Sequence, residues 1–257
     1  MKRIVVLGST NTDMVVKAAR IPAPGETILG GRFLMNPGGK GANQAVAAAR
    51  LGGEVVFVAK VGNDLFGREA KALFAKEGLC TDYVLTDAEE PSGVALIMVD
   101  ADGENCISVA SGANATLTPE DIRVARGVIE KAGVLLMQLE TPVETVLCAA
   151  QWAAAKGVPV VLNPAPACRL PSELFRCLSI MTPNETEAEL LTGVKVTGEA
   201  SALRAAKALC DLGVRRVIIT LGSKGAFVYA DGQGSLVPAV KVRAVDITGG
   251  GLAGVDG

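Results

Sequence analysis

Histidine is absent from all 257 residues. Without an imidazole, Ser-His-Asp and Cys-His catalysis are excluded, and so is histidine-ligated zinc. Cysteine is sparse: the six, at 80, 106, 148, 168, 177 and 210, form no C-x-x-C pair. That scatter argues against a metal or redox centre and for buried, reduced thiols in a cytoplasmic protein. Neither charge is in excess, with 25 Lys+Arg against 27 Asp+Glu, so binding to nucleic acid or a membrane surface through bulk charge is disfavoured. No apolar run reaches the roughly 18 residues of a membrane span. Lys2-Arg3 ahead of Ile4–Leu7 imitates the start of a signal peptide, but polar Ser9-Thr10-Asn11 ends the run, which leaves a first β-strand. Aromatics are only 4%, yet hydrophobic residues make up 49%, which excludes disorder and supports a sizeable core.

What is present alternates. Short β-branched runs at 3–8, 55–60, 134–139, 158–162, 178–182, 216–221 and 226–230 read as strands. Segments of helical spacing at 42–51, 65–77, 119–131, 142–156, 184–192 and 199–212 read as helices. This order predicts an α/β fold with a mostly parallel sheet covered by helices on both faces. Thr118-Pro119, Thr141-Pro142 and Thr182-Pro183 each precede an acid by one or two residues, which predicts Thr caps with Pro in the first helical position. Two stretches break the rhythm, 11–36 and 91–111, the second with Asp102-Gly103 between apolar runs as a hairpin signal. Both read as extra β-structure added to the body, a flap over a site. No linker divides the chain, so 1–257 reads as a single domain.

Ligands of open parallel sheets bind beyond the carboxyl ends of the strands. After the strand candidates come Ser9–Asp13, Glu140, Asn163, then Asn184 with Glu187, and Thr220 with Gly222–Gly225. Amides and carboxylates without histidine suit a polyol, whose hydroxyls both donate and accept. Asn36–Gln44 (NPGGKGANQ) leads into an Ala-rich helix. By its residues alone it is either a glycine turn feeding a helix or a loop that lets backbone approach a ligand. It is not a Walker A loop, because Gly41 follows Lys40 and Leu34 stands where the first glycine belongs. Gly249–Gly254 matches G-x-G-x-x-G without the helix and acid that a dinucleotide site needs. The sequons at Asn114 and Asn184 carry no weight, and Asp87–Glu90 reads as a solvated loop.

Together, Gly8–Asp13, Gly38–Gln44, Leu136–Glu140, Leu162–Pro166, Thr182–Glu187 and Thr220–Gly225 strongly resemble the ribokinase/PfkB carbohydrate kinase family. The resemblance runs from residue 3 to about residue 251. It implies a three-layer α/β/α sandwich with a small β-lid, formed by the two added stretches, that also pairs subunits into a homodimer. The glycine loop and Asn163-Pro164-Ala165-Pro166 favour ATP-dependent phosphorylation of the D-ribose 5-hydroxyl, with Mg2+ and K+. A related sugar such as deoxyribose or fructose is the alternative substrate. Carried over by position, Asn11, Asp13, Gly39, Lys40, Gly41, Asn43 and Glu140 would bind sugar. Asn184, Thr220, Gly222, Ser223 and Gly225 would bind ATP, with Glu187 in the magnesium region. Asp246 and Thr248 would hold the monovalent cation, and Gly249 and Gly251 would form the anion hole.

One position departs. Where the family carries its catalytic aspartate, this chain has Leu252, which accepts no proton. Loss of a general base costs about 10²–10⁴ in rate. The family's chains also continue well beyond this point, so the C-terminal part of the fold reads as missing. If Gly251 is encoded GGA and Leu252 CTN, an aspartate codon GAC lies one base out of frame, which makes 252–257 a frameshift candidate. The expectation is a nearly inactive chain, or a remnant that binds sugar without turnover.

Overall fold

The computed structural model describes residues 2–240. The first half runs β1 (Ile4–Leu7), β2 (Asn11–Lys17), β3 (Arg32–Gly38), α1 (Lys40–Arg50), β4 (Val55–Gly62), α2 (Leu65–Lys76), β5 (Cys80–Asp87), β6 (Gly93–Val99) and β7 (Asn105–Ala110). The second half runs α3 (Arg126–Ile129), β8 (Val134–Met137), α4 (Val143–Ala155), β9 (Val160–Leu162), α5 (Ser172–Cys177), β10 (Ile180–Met181), α6 (Glu185–Thr192), α7 (Glu199–Asp211), β11 (Arg216–Thr220), β12 (Ala226–Ala230) and β13 (Gln233–Val237).

Among the described residues these strands make two sheets. Nine form the order β13-β12-β11-β10-β9-β8-β1-β4-β5, parallel except at the β12 and β13 edge. The other four form β3-β2-β6-β7, a separate sheet built from the two stretches that break the βα rhythm. The period-2 alternation of strand side chains sorts the core. Val5 and Leu7 face the layer of α3–α7, while Val6 faces α1 and α2 with Phe57 and Phe74. Phe57 and Phe74 meet edge-on at 5.1 Å, a favoured aromatic geometry. Val161, Ile180, Ile218 and Val228 alternate with buried neighbours and are half-buried.

Several expectations need correction. Residues 119–131 are not one helix but a 3-10 turn, Asp121–Ala125, followed by the single turn α3. The buried residues Ile122 and Ala125 are three apart, a spacing that a 3-10 turn stacks on one line. The Thr-Pro caps differ as well. Pro142 itself is the cap position of α4, and Asn184 caps α6 in a capping box with Glu187. Of the three, only Thr118 behaves as a cap: its hydroxyl accepts from the Asp121 N–H, and Asp121 accepts from the Thr118 N–H. Strands β5 and β13 and helix α5 have no counterpart among the predicted elements; β13 is exposed along its length and so shows no apolar alternation. All six cysteines are free, but Cys106 is exposed and the others are half-buried rather than fully buried. Asp87 is not merely solvated, since it pairs with Lys60 at 3.0 Å.

Candidate active site

The chain lays β1, β4 and β5 toward one side and β8 to β11 toward the other, so its direction across the sheet reverses between β1 and β8. In open parallel sheets the crevice at such a reversal is where ligands bind. Here the segments following β1 and β8 grip each other. The buried Ser9 hydroxyl donates to Glu140 Oε2, and the Lys40 backbone N–H donates to the same oxygen at 3.0 Å. The Gly41 N–H donates to Ser9 Oγ at 3.3 Å.

The glycine loop is shaped by this closeness. Gly39 has φ of 92°, a left-handed conformation, and a Cβ there would lie 2.7 Å from Thr10 Cα. Gly38 is bare for another reason: a side chain would collide with the carboxylate of Asp13, which lies over it. Gly41 is buried and does not line the cavity; a Cβ there would lie 2.5 Å from Ser9 N.

A cavity of about 520 Å3 opens over this junction. Asn11, Asp13, Gly39, Lys40, Asn43 and Glu140 all line it. The second sheet forms its roof through one face only. Asp13 pairs with Ala95 and Val15 with Ile97, and these in turn pair with Val109 and Ile107, so Ala95, Ile97, Ile107 and Val109 share the face that meets the cavity. Polar acceptors below and aliphatic walls above suit a small polyol.

Charge in the cavity is predominantly negative. Burial pushes the Asp13 carboxyl above its ordinary pKa, the Glu140 charge adds to the rise, and Lys40 opposes it. Burial also raises Glu187, against the Asn184 backbone N–H and again Lys40. Lys40 therefore acts electrostatically on both sides of the crevice.

Farther along the same sheet edge, past β9, stand the residues of the second group. Asn184 and Thr220 meet in a parallel bridge, which places the ends of β10 and β11 side by side. Glu187 accepts from the Asn184 backbone N–H at 2.9 Å and from its side-chain amide at 3.1 Å. Gly222–Lys224 form an open 3-10 turn that carries Ser223, and Gly225 closes it against the backbone of residues 237–239.

The order along the edge is thus a polar-floored cavity at β1 and β8 and a second polar group at β10 and β11. The sequence profile of the "pfkB family carbohydrate kinase" matches residues 1–251. The chain belongs to this family. As a pfkB carbohydrate kinase it is a phosphotransferase acting on an alcohol group. It is similar to a ribokinase of Haemophilus influenzae, 47% identical over 250 residues that are 97% of this chain and 82% of that protein. A deoxyribokinase of Salmonella typhi is 40% identical over 251 residues, 97% of this chain and 82% of the relative. The solved structure of Arabidopsis thaliana ribokinase complexed with ribose and ATP is 34% identical with a TM-score of 0.91, covering 98% of this chain and 83% of that one.

For this family member, sequence reasoning left several site residues unassigned. Ser9 lay within a motif but had no role, and its grip on Glu140 is visible only when β1 and β8 are neighbours. Ser111, Asn114 and Thr141 also line the cavity; Asn114, met in the sequence only as a sequon, is buried. Asp246, Thr248, Gly249, Gly251 and Leu252 lie outside the described residues.

Proposed function

We propose that this kinase transfers the γ-phosphoryl group of ATP to the 5-hydroxyl of D-ribose. The convergence of Asn11, Asp13, Gly39, Lys40, Asn43 and Glu140 on one cavity carries the reading. The kinship with the Haemophilus influenzae ribokinase supports ribose as the substrate. Asp13 and Glu140 accept hydrogen bonds from sugar hydroxyls, and Asn43 and Asn11 complete the ring of polar contacts. The aliphatic roof excludes water, and the second sheet serves as a lid. ATP binds along β10 and β11 at Asn184, Thr220, Gly222, Ser223 and Gly225.

The Glu187 carboxylate suits Mg2+ in kind. It offers hard oxygens with lone pairs left over after its bonds to Asn184, and among the described residues no group of three or more His, Cys, Asp or Glu side chains is placed to hold a metal ion. Magnesium sites of phosphoryl-transfer enzymes commonly use one or two carboxylates, with the substrate's phosphates as the other ligands. Bound there, the ion supplies neutralisation of phosphate charge. K+ is assigned to Asp246 and Thr248. The reading includes a cytoplasmic location, and among the described residues no helix is long and apolar enough to cross a membrane. It also includes a homodimer joined through the lid, whose Phe33, Met35 and Leu96 are exposed.

Titrating the purified chain with D-ribose, 2-deoxy-D-ribose and D-fructose tests the substrate. D-ribose is expected to bind tightest. Tighter binding of 2-deoxy-D-ribose would move the chain to the activity named for its Salmonella typhi relative. Sedimentation of the same sample as a monomer would remove the dimer.

Leu252 favours a second reading, in which the chain binds sugar and turns over poorly. A ribose-induced melting shift without ADP release would support it.

Sugar binding should also depend on pH through Asp13. Burial raises its pKa above the ordinary 3.8. Protonation there removes an acceptor, so affinity is expected to fall as pH drops through a value above 3.8. The sign for stability is opposite. Folding favours the protonated form of this carboxyl, so its contribution is fully present below 3.8 and is lost as pH rises through the raised value. Asp13→Asn should weaken binding and flatten the acid limb of the affinity profile; an unchanged acid limb would assign the dependence to another group.

A further inference from the structure

Asn114 lies in the 3-10 turn Gly112–Thr116 that follows β7, with 1% of its surface exposed. Its amide faces four partners. Oδ1 accepts from the Thr10 N–H at 2.9 Å, while the two hydrogens of Nδ2 are shared among three acceptors, the Thr10 carbonyl at 3.0 Å, the Ser111 carbonyl at 3.0 Å and Asn11 Oδ1 at 2.9 Å. These partners decide which end of the amide is which. Only a carbonyl oxygen can take the Thr10 N–H, and only the NH2 can serve two backbone carbonyls.

The consequence passes to Asn11. The atom it shows to Asn114 must be its oxygen, so its own NH2 is the other end of a fixed amide. Among the described residues nothing accepts from that NH2, and Asn11 lines the cavity. The contact also has reserved space, since a side chain at Gly93 would collide with both Asn11 Oδ1 and Asn114 Nδ2. The turn is tied down from behind. Thr116 Oγ1 donates to Asp87 at 2.6 Å, and Lys60 reaches the Thr116 carbonyl at 3.1 Å while bridging Asp87 and Asp121.

We infer that Asn114 is a positioning residue that holds Asn11 as a hydrogen-bond donor to the sugar. Asp13 and Glu140 can only accept when ionised, so a locked donor beside them makes the cavity read one hydroxyl as an acceptor. Ser111 and Gly93 belong to the lid's root, whereas Asp87 and Lys60 belong to the main sheet. Asn114 thus ties the donor's orientation to the seating of the lid on the body.

This inference rests on the sugar-binding reading, and the test separates the two. The full chain, Asn11→Ala, Asn114→Ala and the double variant are titrated with D-ribose, 2-deoxy-D-ribose, D-fructose and ADP. Asn114→Ala is expected to weaken the best-bound sugar about tenfold and leave ADP affinity unchanged. The double variant is expected to bind no worse than Asn11→Ala alone, because Asn114 acts through Asn11. Additive losses, or equal losses for sugar and ADP, would overturn the inference. Should Asn114→Ala not fold, Gly93→Ala provides a second route and is expected to give the same selective loss. Failure of both to fold would assign Asn114 to structure alone and overturn the positioning role. A wild-type preference for another of the sugars would sink the ribose reading only, with the cycle then read on that sugar. Binding of none of them would sink both.

Discussion

Leu252→Asp is expected to raise the rate of sugar phosphorylation by about 10²–10⁴-fold, the usual worth of a general base. A hydroxyl attacking phosphorus must lose its proton, and leucine offers no acceptor for it. By the family resemblance, Gly249 and Gly251 would form the anion hole and position 252 would carry the base. Phosphoryl transfer draws most of its catalysis from positioning and electrostatics, so some rate should survive without the base. Sugar affinity should change little, because Asn11, Asp13, Asn43 and Glu140 carry it. Leu252→Asn supplies the control: it is polar and close in size to aspartate but is no base, and it should not restore the rate. ADP release measured with ribose, Mg2+ and K+ decides the matter. A chain with Leu252 that already turns over as fast as the Leu252→Asp variant would show that the base lies elsewhere.

Gly41→Ala is expected to lower stability by about 3 kcal/mol. The added Cβ would lie 2.5 Å from Ser9 N and 2.6 Å from the Gly8 carbonyl carbon, both backbone atoms that no rotamer change can move. Either α1 must retreat from the end of β1, or the Gly8–Asn11 segment must shift. Both responses break the Gly41–Ser9 and Ser9–Glu140 bonds. Sugar affinity should therefore fall together with the denaturation midpoint. A midpoint within about 0.5 kcal/mol of wild type would show that the loop tolerates displacement.

The gap between sequence and structure has a physical pattern. The βα order was legible because buried parallel strands need continuous β-branched runs, as in Val55–Val61, and because helices repeat their apolar face. Asn11, Asp13 and Glu140 were legible as well, since they follow the predicted strands 3–8 and 134–139, and such strands end on a common edge. Elements whose form depends on neighbours were not. Strand β13 is exposed and pairs only because β12 lies beside it, and residues 119–131 lose helical form to a 3-10 turn that puts Ile122 and Ala125 against the core. Ser9 and Asn114 carried no local sign of their roles. Their partners lie 131 and 103 residues away in the chain, as Glu140 and Asn11. The sequence by itself determined the class of fold and the chemistry available, because these follow from local periodicity and residue type, and its motifs carried the resemblance to the family. Only the tertiary structure decided which polar groups lock one another, because a hydrogen bond depends on distances of a few tenths of an ångström that chain folding alone sets.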